Sequence, residues 1–256
     1  ITPTCAAETI NALPLVLLLP CGGCLSSHVI EQTGARFMQL ADQMCFAAAV
    51  LEGVNGAFNV VQDLQALGTG TSDVEYVERV IDTLAEQSGC IDVSRVYATG
   101  ISMGARMVSR LASELSHRIA AISPIGGLQY PCLLNASRPV PILAIHGDAD
   151  YVNPYQGPPG NPYWTRSVPD SLDQWRQSYR CGEMVETRVS VAVSRMEYPR
   201  CDLGAEVILY RMEGGGHAWP GGDNSMMNGP GPASVNAQLD ASEVMMHFFL
   251  NHRLPE

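Results

Sequence analysis

The segment from Val93 to Leu111 constrains the fold of this chain more than any other. An apolar run, Val93-Ser94-Arg95-Val96-Tyr97-Ala98-Thr99, leads into Gly100-Ile101-Ser102-Met103-Gly104, and Ala105-Arg106-Met107-Val108-Ser109-Arg110-Leu111 leads out as good helix-forming sequence. A strand that turns sharply into a helix strains the corner residue and lifts its side chain clear of the sheet. Glycines two residues to either side keep neighbouring atoms out of the way. The Ser102 hydroxyl then stands at a helix N-terminus, where backbone N–H groups and the dipole favour negative charge. Acyl transfer through a tetrahedral oxyanion requires that arrangement. The bare pattern is common in glycine-rich turns, so the strand before it and the helix after it are what make the reading specific.

Strands and helices alternate along the rest of the chain, which predicts an α/β fold: a mainly parallel central sheet with helices on both faces, built as one domain over residues 1–256. Leu15-Val16-Leu17-Leu18-Leu19 is a continuous apolar run of the kind a doubly covered parallel strand needs. A helical pattern from Gly34 to Met44 precedes a second strand, Phe46 to Leu51. Ser72-Asp73-Val74-Glu75 has the form of a capping box, and Val77, Val80, Ile81 and Leu84 follow at helical spacing. Further strands are predicted at Ile119 to Ile125, Val140 to Ile145 and Glu206 to Met212, with a hairpin over Val185 to Val193 and a helix near Asp170 to Tyr179. Pro154 to Pro169 is dense in Pro, Gly and aromatics and reads as a loop over the site; a last helix, Val235 to Leu250, is expected to close the far edge of the sheet.

Bulk properties narrow the function. Charged residues make up 16% of the 256, the net charge is -11, and every basic residue is arginine. So acidic a chain argues against nucleic acid or an anionic membrane as partner, and the apolar run Leu13 to Pro20 is too short to cross a bilayer. Because the chain begins at Ile1, a mature or trimmed form is expected. Eight cysteines suit disulfides and a secreted or periplasmic location. Cys181 and Cys201 flank the hairpin and are the expected pair; the other pairings stay open. Cys21-Gly22-Gly23-Cys24 has redox-motif spacing, but no second such pair completes a zinc site, and no metal or cofactor is expected.

A serine hydroxyl needs a base, and the base needs a carboxylate to orient it. Among six histidines, His217 stands in Gly214-Gly215-Gly216-His217-Ala218-Trp219-Pro220-Gly221-Gly222, a loop that follows a strand and can bend toward the elbow. His146 is read as a structural histidine at a strand end, and His28, His117, His247 and His252 lie in loops or helices without such context. The acid comes from His146-Gly147-Asp148-Ala149-Asp150, a strand end opening into a loop; spacing does not separate Asp148 from Asp150, and one could cap the turn while the other orients the histidine. The oxyanion donors are expected at Met103 N–H and, because Pro20 has none, at Cys21 N–H with Gly22 behind it.

With these segments in place, the chain resembles the feruloyl esterase and polyhydroxybutyrate depolymerase group of secreted α/β-hydrolases, carbohydrate esterase family 1. The resemblance rests on Arg95 to Ala105, on His146-Gly147-Asp148-Ala149-Asp150-Tyr151-Val152-Asn153-Pro154-Tyr155, and on Gly215 to Gly222. It implies an α/β-hydrolase fold and a Ser102, Asp150, His217 triad, with Asp150 rather than Asp148 as the acid and Trp219 close to substrate. The family usually carries His-Gly before the cysteine of the oxyanion loop, where this chain has Leu19-Pro20. Trp219, Trp164, Tyr163, Tyr155 and Tyr151 are expected to line an aromatic cleft for a hydroxycinnamoyl group. A polyester chain or a short-chain acyl ester are the alternatives, and the Leu19-Pro20 departure leaves open a relative that binds saccharide or polymer without turnover. Asn135-Ala136-Ser137 matches a glycosylation sequon.

Overall fold

The computed structural model describes residues 5, 13–33, 36–60, 72–131, 135–157, 164–223 and 233–255. The Leu-rich run forms β1 (Leu13–Leu19), buried along its whole length. Its side chains alternate: Leu15, Leu17 and Leu19 enter one core, Val16 and Leu18 the other. A strand with helices on both sides must be apolar at every position, and this one is. Next come α1 (Ser26–Gln32), α2 (Arg36–Met44), β2 (Ala47–Val50), α3 (Asp73–Ser88), β3 (Ile91–Ile101) and α4 (Met103–Glu114). They are followed by β4 (Ala121–Ile125), β5 (Ile142–Gly147), α5 (Val168–Ser178), β6 (Val185–Ser190), β7 (Val193–Tyr198) and β8 (Val207–Met212). A single turn, α6 (Ala233–Asn236), and α7 (Ala241–Leu250) end the order.

All eight strands join one sheet in the order β2-β1-β3-β4-β5-β8-β7-β6. The six from β2 to β8 run parallel, and β7 and β6 add an antiparallel hairpin at one end. After β1 the chain adds a strand on one side, then crosses to add β3 on the other. The order therefore reverses between β1 and β3, and ligands of open α/β sheets bind beyond the strand C-termini at such a reversal. The two loops that meet there are those after Leu19 and Ile101.

Helices α3, α4 and α5 pack on one face through Val77, Ile81, Val108, Leu111, Leu172 and Trp175. On the other face, α1, α2 and α7 contribute Val29, Phe37, Leu40, Met245 and Phe249. Ser72 caps α3 by accepting a hydrogen bond from Glu75 N–H, as expected, and Gly89 ends it with φ 61°.

Two expectations need correction. The last helix does not run unbroken from Val235: Asp240 adopts extended φ/ψ and accepts from Glu243 N–H, while Pro220 and Gly221 bond to Ala241 and Asn236, so a fresh helix starts at Ala241. Nor does it close the far edge, which belongs to β6. It lies on the sheet face over β4 and β5, with Phe249 stacked 4.8 Å from Tyr97 and Arg36 of α2 bridging to Asp240 and Glu243. The hairpin also extends to Tyr198, beyond Val193, and Cys181–Cys201 ties its base.

Candidate active site

Ser102 sits at the corner between β3 and α4 with φ 59° and ψ -117°, a conformation L-residues rarely adopt. Its environment holds it there. Ser102 N–H donates to Ile125 O at 3.0 Å, and Arg106 N–H donates to Ser102 O at 3.1 Å. The flanking glycines are needed for close approach: a Cβ on Gly100 would stand 2.5 Å from Leu19 O, and one on Gly104 only 2.1 Å from the same atom. The end of β1 is thereby pressed directly onto the elbow.

The loop after β1 is a tight turn. Cys24 N–H donates to Cys21 O at 3.0 Å, Gly23 has φ 74°, and a disulfide joins Cys21 to Cys24. Gly23 N–H reaches Gly56 O at 2.7 Å, and the Met103 side chain covers Gly22 while its Sδ receives Phe58 N–H at 3.3 Å. Met103 opens α4, so its N–H has no intrahelical acceptor. The two expected oxyanion donors thus belong to neighbouring segments clamped by one methionine side chain.

Asp148 and Asp150 separate cleanly. Asp148 accepts Gly214 N–H at 2.7 Å and so anchors the loop that carries the histidine. Asp150 faces the histidine itself: His217 Nδ1 lies 2.7 Å from Asp150 Oδ2, with side-chain exposures of 5% and 0%. A carboxylate only accepts, so Nδ1 carries the proton and Nε2 keeps a free lone pair. Asp150 Oδ1 accepts Val152 N–H and Asn153 N–H, each at 2.8 Å. Burial pushes the Asp150 carboxyl up, but hydrogen bonds from His146 and His217 outweigh it and hold the group well below the ordinary carboxylate range.

The Gly126–Gly127 step after β4 joins the two halves. A Cβ on Gly126 would stand 3.3 Å from His217 Nδ1, and one on Gly127 would stand 2.4 Å from Ser102 O. Asn153 donates from Nδ2 to Gly126 O at 2.6 Å. Ser102 and the His217–Asp150 pair therefore pack against consecutive residues at the same rim of the sheet. Sequence reasoning overlooked this step, although two glycines directly after the apolar Ile119 to Ile125 run were there to be read.

The aromatic residues are arranged otherwise than expected. Trp164 and Trp219 are fully buried, with indole N–H groups donating to Pro154 O at 2.9 Å and Ser242 Oγ at 3.0 Å. Tyr155 is also buried, and only Tyr151 is exposed, at 56%. These indoles are core, because a buried N–H that finds a partner lets the whole ring leave solvent. Tyr163 lies outside the described residues. The disulfides Cys5–Cys45, Cys21–Cys24 and Cys181–Cys201 are formed, the last as expected. Asn135 of the sequon is exposed. Among the described residues no helix is long and apolar enough to cross a membrane, and no group of three or more His, Cys, Asp or Glu is placed to hold a metal.

No family model matches the chain. It is 27% identical over 208 residues to the bifunctional acetylxylan esterase/xylanase of Neocallimastix patriciarum, covering 79% of this chain and 28% of that one. Against feruloyl esterase B of Piromyces equi it is 28% identical over 186 residues, 66% of this chain and 33% of the relative. The chain thus spans about a third or less of the length of these two relatives. Among solved structures, the acetyl xylan esterase from Aspergillus awamori superposes with a TM-score of 0.60 at 12% identity, over 83% of this chain and 86% of that one. A thermostable esterase superposes with a TM-score of 0.60 at 15% identity, over 96% of this chain and 56% of that one. The chain has the fold of α/β esterases among solved structures, and its sequence relatives include acetylxylan and feruloyl esterases.

Proposed function

We propose that this chain hydrolyses carboxylic esters through a Ser102, His217, Asp150 triad and an acyl-enzyme. The buried His217–Asp150 bond, on the same rim as the strained Ser102 corner, is the observation that carries the reading. Ser102 Oγ attacks the ester carbonyl carbon as its proton passes to His217 Nε2, and Asp150 stabilises the imidazolium. The oxyanion accepts from Met103 and Cys21 N–H groups; each such donor is worth roughly 3 kcal/mol of transition-state stabilisation. His217 then gives its proton to the departing alcohol oxygen. Water, deprotonated by the same imidazole, attacks the acyl carbon, releasing the acid and restoring Ser102.

The substrate we assign is an ester-substituted plant polysaccharide, in keeping with relatives named acetylxylan esterase and feruloyl esterase. A feruloyl esterase is the reading the sequence resemblance suggests. The burial of Trp164 and Trp219 removes two walls of the aromatic cleft that a hydroxycinnamoyl group would use, and this favours a short acyl group such as acetyl as the second reading. The three disulfides among the described residues suit an oxidising, extracytoplasmic compartment.

A panel of p-nitrophenyl acyl esters, methyl ferulate and acetylated xylan tests both levels. Wild type should turn over at least one class, Ser102→Ala none, and an organophosphonate should label Ser102. Folded wild-type protein that is neither labelled nor active would instead be a non-catalytic binder, with the Leu19-Pro20 turn as its lesion.

A further inference from the structure

His146 was read from sequence as a structural histidine. In the fold it ends β5 with its side chain wholly buried, and its Nε2 lies 2.8 Å from Asn153 O and 3.4 Å from Asp150 Oδ2. Asp150 Oδ2 is thus flanked by two imidazoles, His217 on one side and His146 on the other. Neither oxygen facing Nε2 can donate, so Nε2 carries the ring proton. The opposite nitrogen, Nδ1, is buried with no hydrogen-bond partner among the described residues. The geometry is that of one N–H shared between a carbonyl and the carboxylate.

The surroundings lock this orientation. The ring is wedged between Tyr155 at 6.0 Å and Trp164 at 5.8 Å. Trp164 is itself tied to Pro154 O, and Asn153 is tied both to Asp150 Oδ1 and to Gly126 O. The charged groups Arg211, Asp148 and Glu186 act on Tyr155, and His146 and His217 are the titratable groups that face Asp150. The buried indole expected to touch substrate therefore braces the histidine that braces the carboxylate.

We propose that His146 is a positioning residue: its Nε2–H fixes the plane of the Asp150 carboxylate and shares the charge on Oδ2, so that His217 is held in one tautomer without being over-stabilised as imidazolium. This rests on the esterase reading above. A histidine that merely filled space would need only the Asn153 carbonyl.

Two polar replacements of similar size separate the cases. Gln at this position extends an N–H to where Nε2 stands, whereas Asn stops at the depth of Nδ1. We expect His146→Gln to keep kcat/KM within about threefold of wild type, with the acid limb of its pH profile unmoved. His146→Asn should lose roughly tenfold in kcat with KM unchanged, and its acid limb should rise by about half a pH unit, because Oδ2 then has His217 as its sole side-chain partner. Equal kinetics for the two variants, or an unmoved limb in His146→Asn, would overturn the proposal. Should His146→Asn not fold, nitrogen–proton NMR of wild type decides. A His146 ring protonated only at Nε2 and protected from exchange between pH 5 and 8 supports the role; a proton on Nδ1 refutes it. Ser102→Ala, run in parallel, tests the esterase reading itself, so a failure there is distinguishable from a failure here.

Discussion

Asp150→Asn changes one atom and should nearly abolish turnover. The two carboxylate oxygens have different partners: Oδ1 faces the N–H groups of Val152 and Asn153, both at 2.8 Å, and Oδ2 faces His217 Nδ1 at 2.7 Å. An amide has one accepting oxygen and one donating nitrogen. The two backbone N–H groups can only donate, whereas His217 can move its proton to the other ring nitrogen, so the oxygen takes the Oδ1 place and the NH2 turns toward His217. Nδ1 must then accept, its proton moves to Nε2, and the base presents an N–H to Ser102 where a lone pair is needed. A wrong tautomer of this kind costs roughly 10⁴ in kcat, about 5.5 kcal/mol of barrier. The NH2 would also meet His146 Nε2–H, and losing a charge-assisted bond costs about 1.5–3 kcal/mol of stability. Initial rates on p-nitrophenyl acetate at pH 8, normalised by organophosphonate titration, measure the first effect, and a thermal melt the second. Asp148→Asn, whose amide oxygen can still accept Gly214 N–H and which gives up only the 4.0 Å approach to Arg211, should stay within about threefold. Asp150→Asn retaining a tenth of wild-type activity, or Asp148→Asn proving the more damaging, would refute this assignment of roles.

Four other perturbations have defined outcomes. Opening Cys21–Cys24, with dithiol or by Cys24→Ser, removes a constraint worth about 2 kcal/mol for so short a loop and should lower kcat without changing KM. Opening Cys181–Cys201, remote from the elbow, should lower only Tm; identical responses from the two bridges would contradict the placement of the oxyanion donor. Gly127→Ala puts a methyl 2.4 Å from Ser102 O and 2.8 Å from the Ala105 Cβ, so the elbow must shift, and activity on p-nitrophenyl acetate should fall at least about 100-fold, as for an ångström-scale misplacement. Hydrogen bonds from Arg188 and Arg211 hold the Glu213 carboxyl at about 2, below its ordinary 4.5. A depressed folded value means stabilisation present above 4.5 and lost as pH falls through about 2, so Glu213→Gln should flatten the decline of Tm across that window.

The elbow, the β1 strand, the α3 cap and the glycine-rich histidine loop were legible because each is a local pattern with one structural solution. Spacing left Asp148 and Asp150 as a pair and the family resemblance alone pointed to Asp150, since which carboxylate turns inward depends on how β5 and β8 lie side by side. The nearness of His146 to Asp150 was not legible for the same reason: its ring nitrogen meets the carboxylate through a loop reversal that four residues of sequence do not reveal. Trp164 and Trp219 were misplaced because proline-rich aromatic segments look alike whether they coat a cleft or fill one. The deciding partners, Pro154 O and Ser242 Oγ, are ten and twenty-three residues away. Helix α1 escaped notice because its N-terminal box uses His28, whose Nδ1 accepts Leu25 N–H at 2.8 Å, in place of the usual acidic residue or glutamine.

The β6–β7 hairpin lies beyond β8, tied at its base by Cys181–Cys201, while its tip reaches the end of β8 that leads into the His217 loop: Ala192 O accepts Glu213 N–H at 2.8 Å and Arg188 pairs with Glu213. Its tip residue Val191 is 85% exposed. Cargo spliced between Val191 and Ala192 would therefore strain the strand end that leads into the histidine loop, at the end of the ribbon that the bridge does not hold.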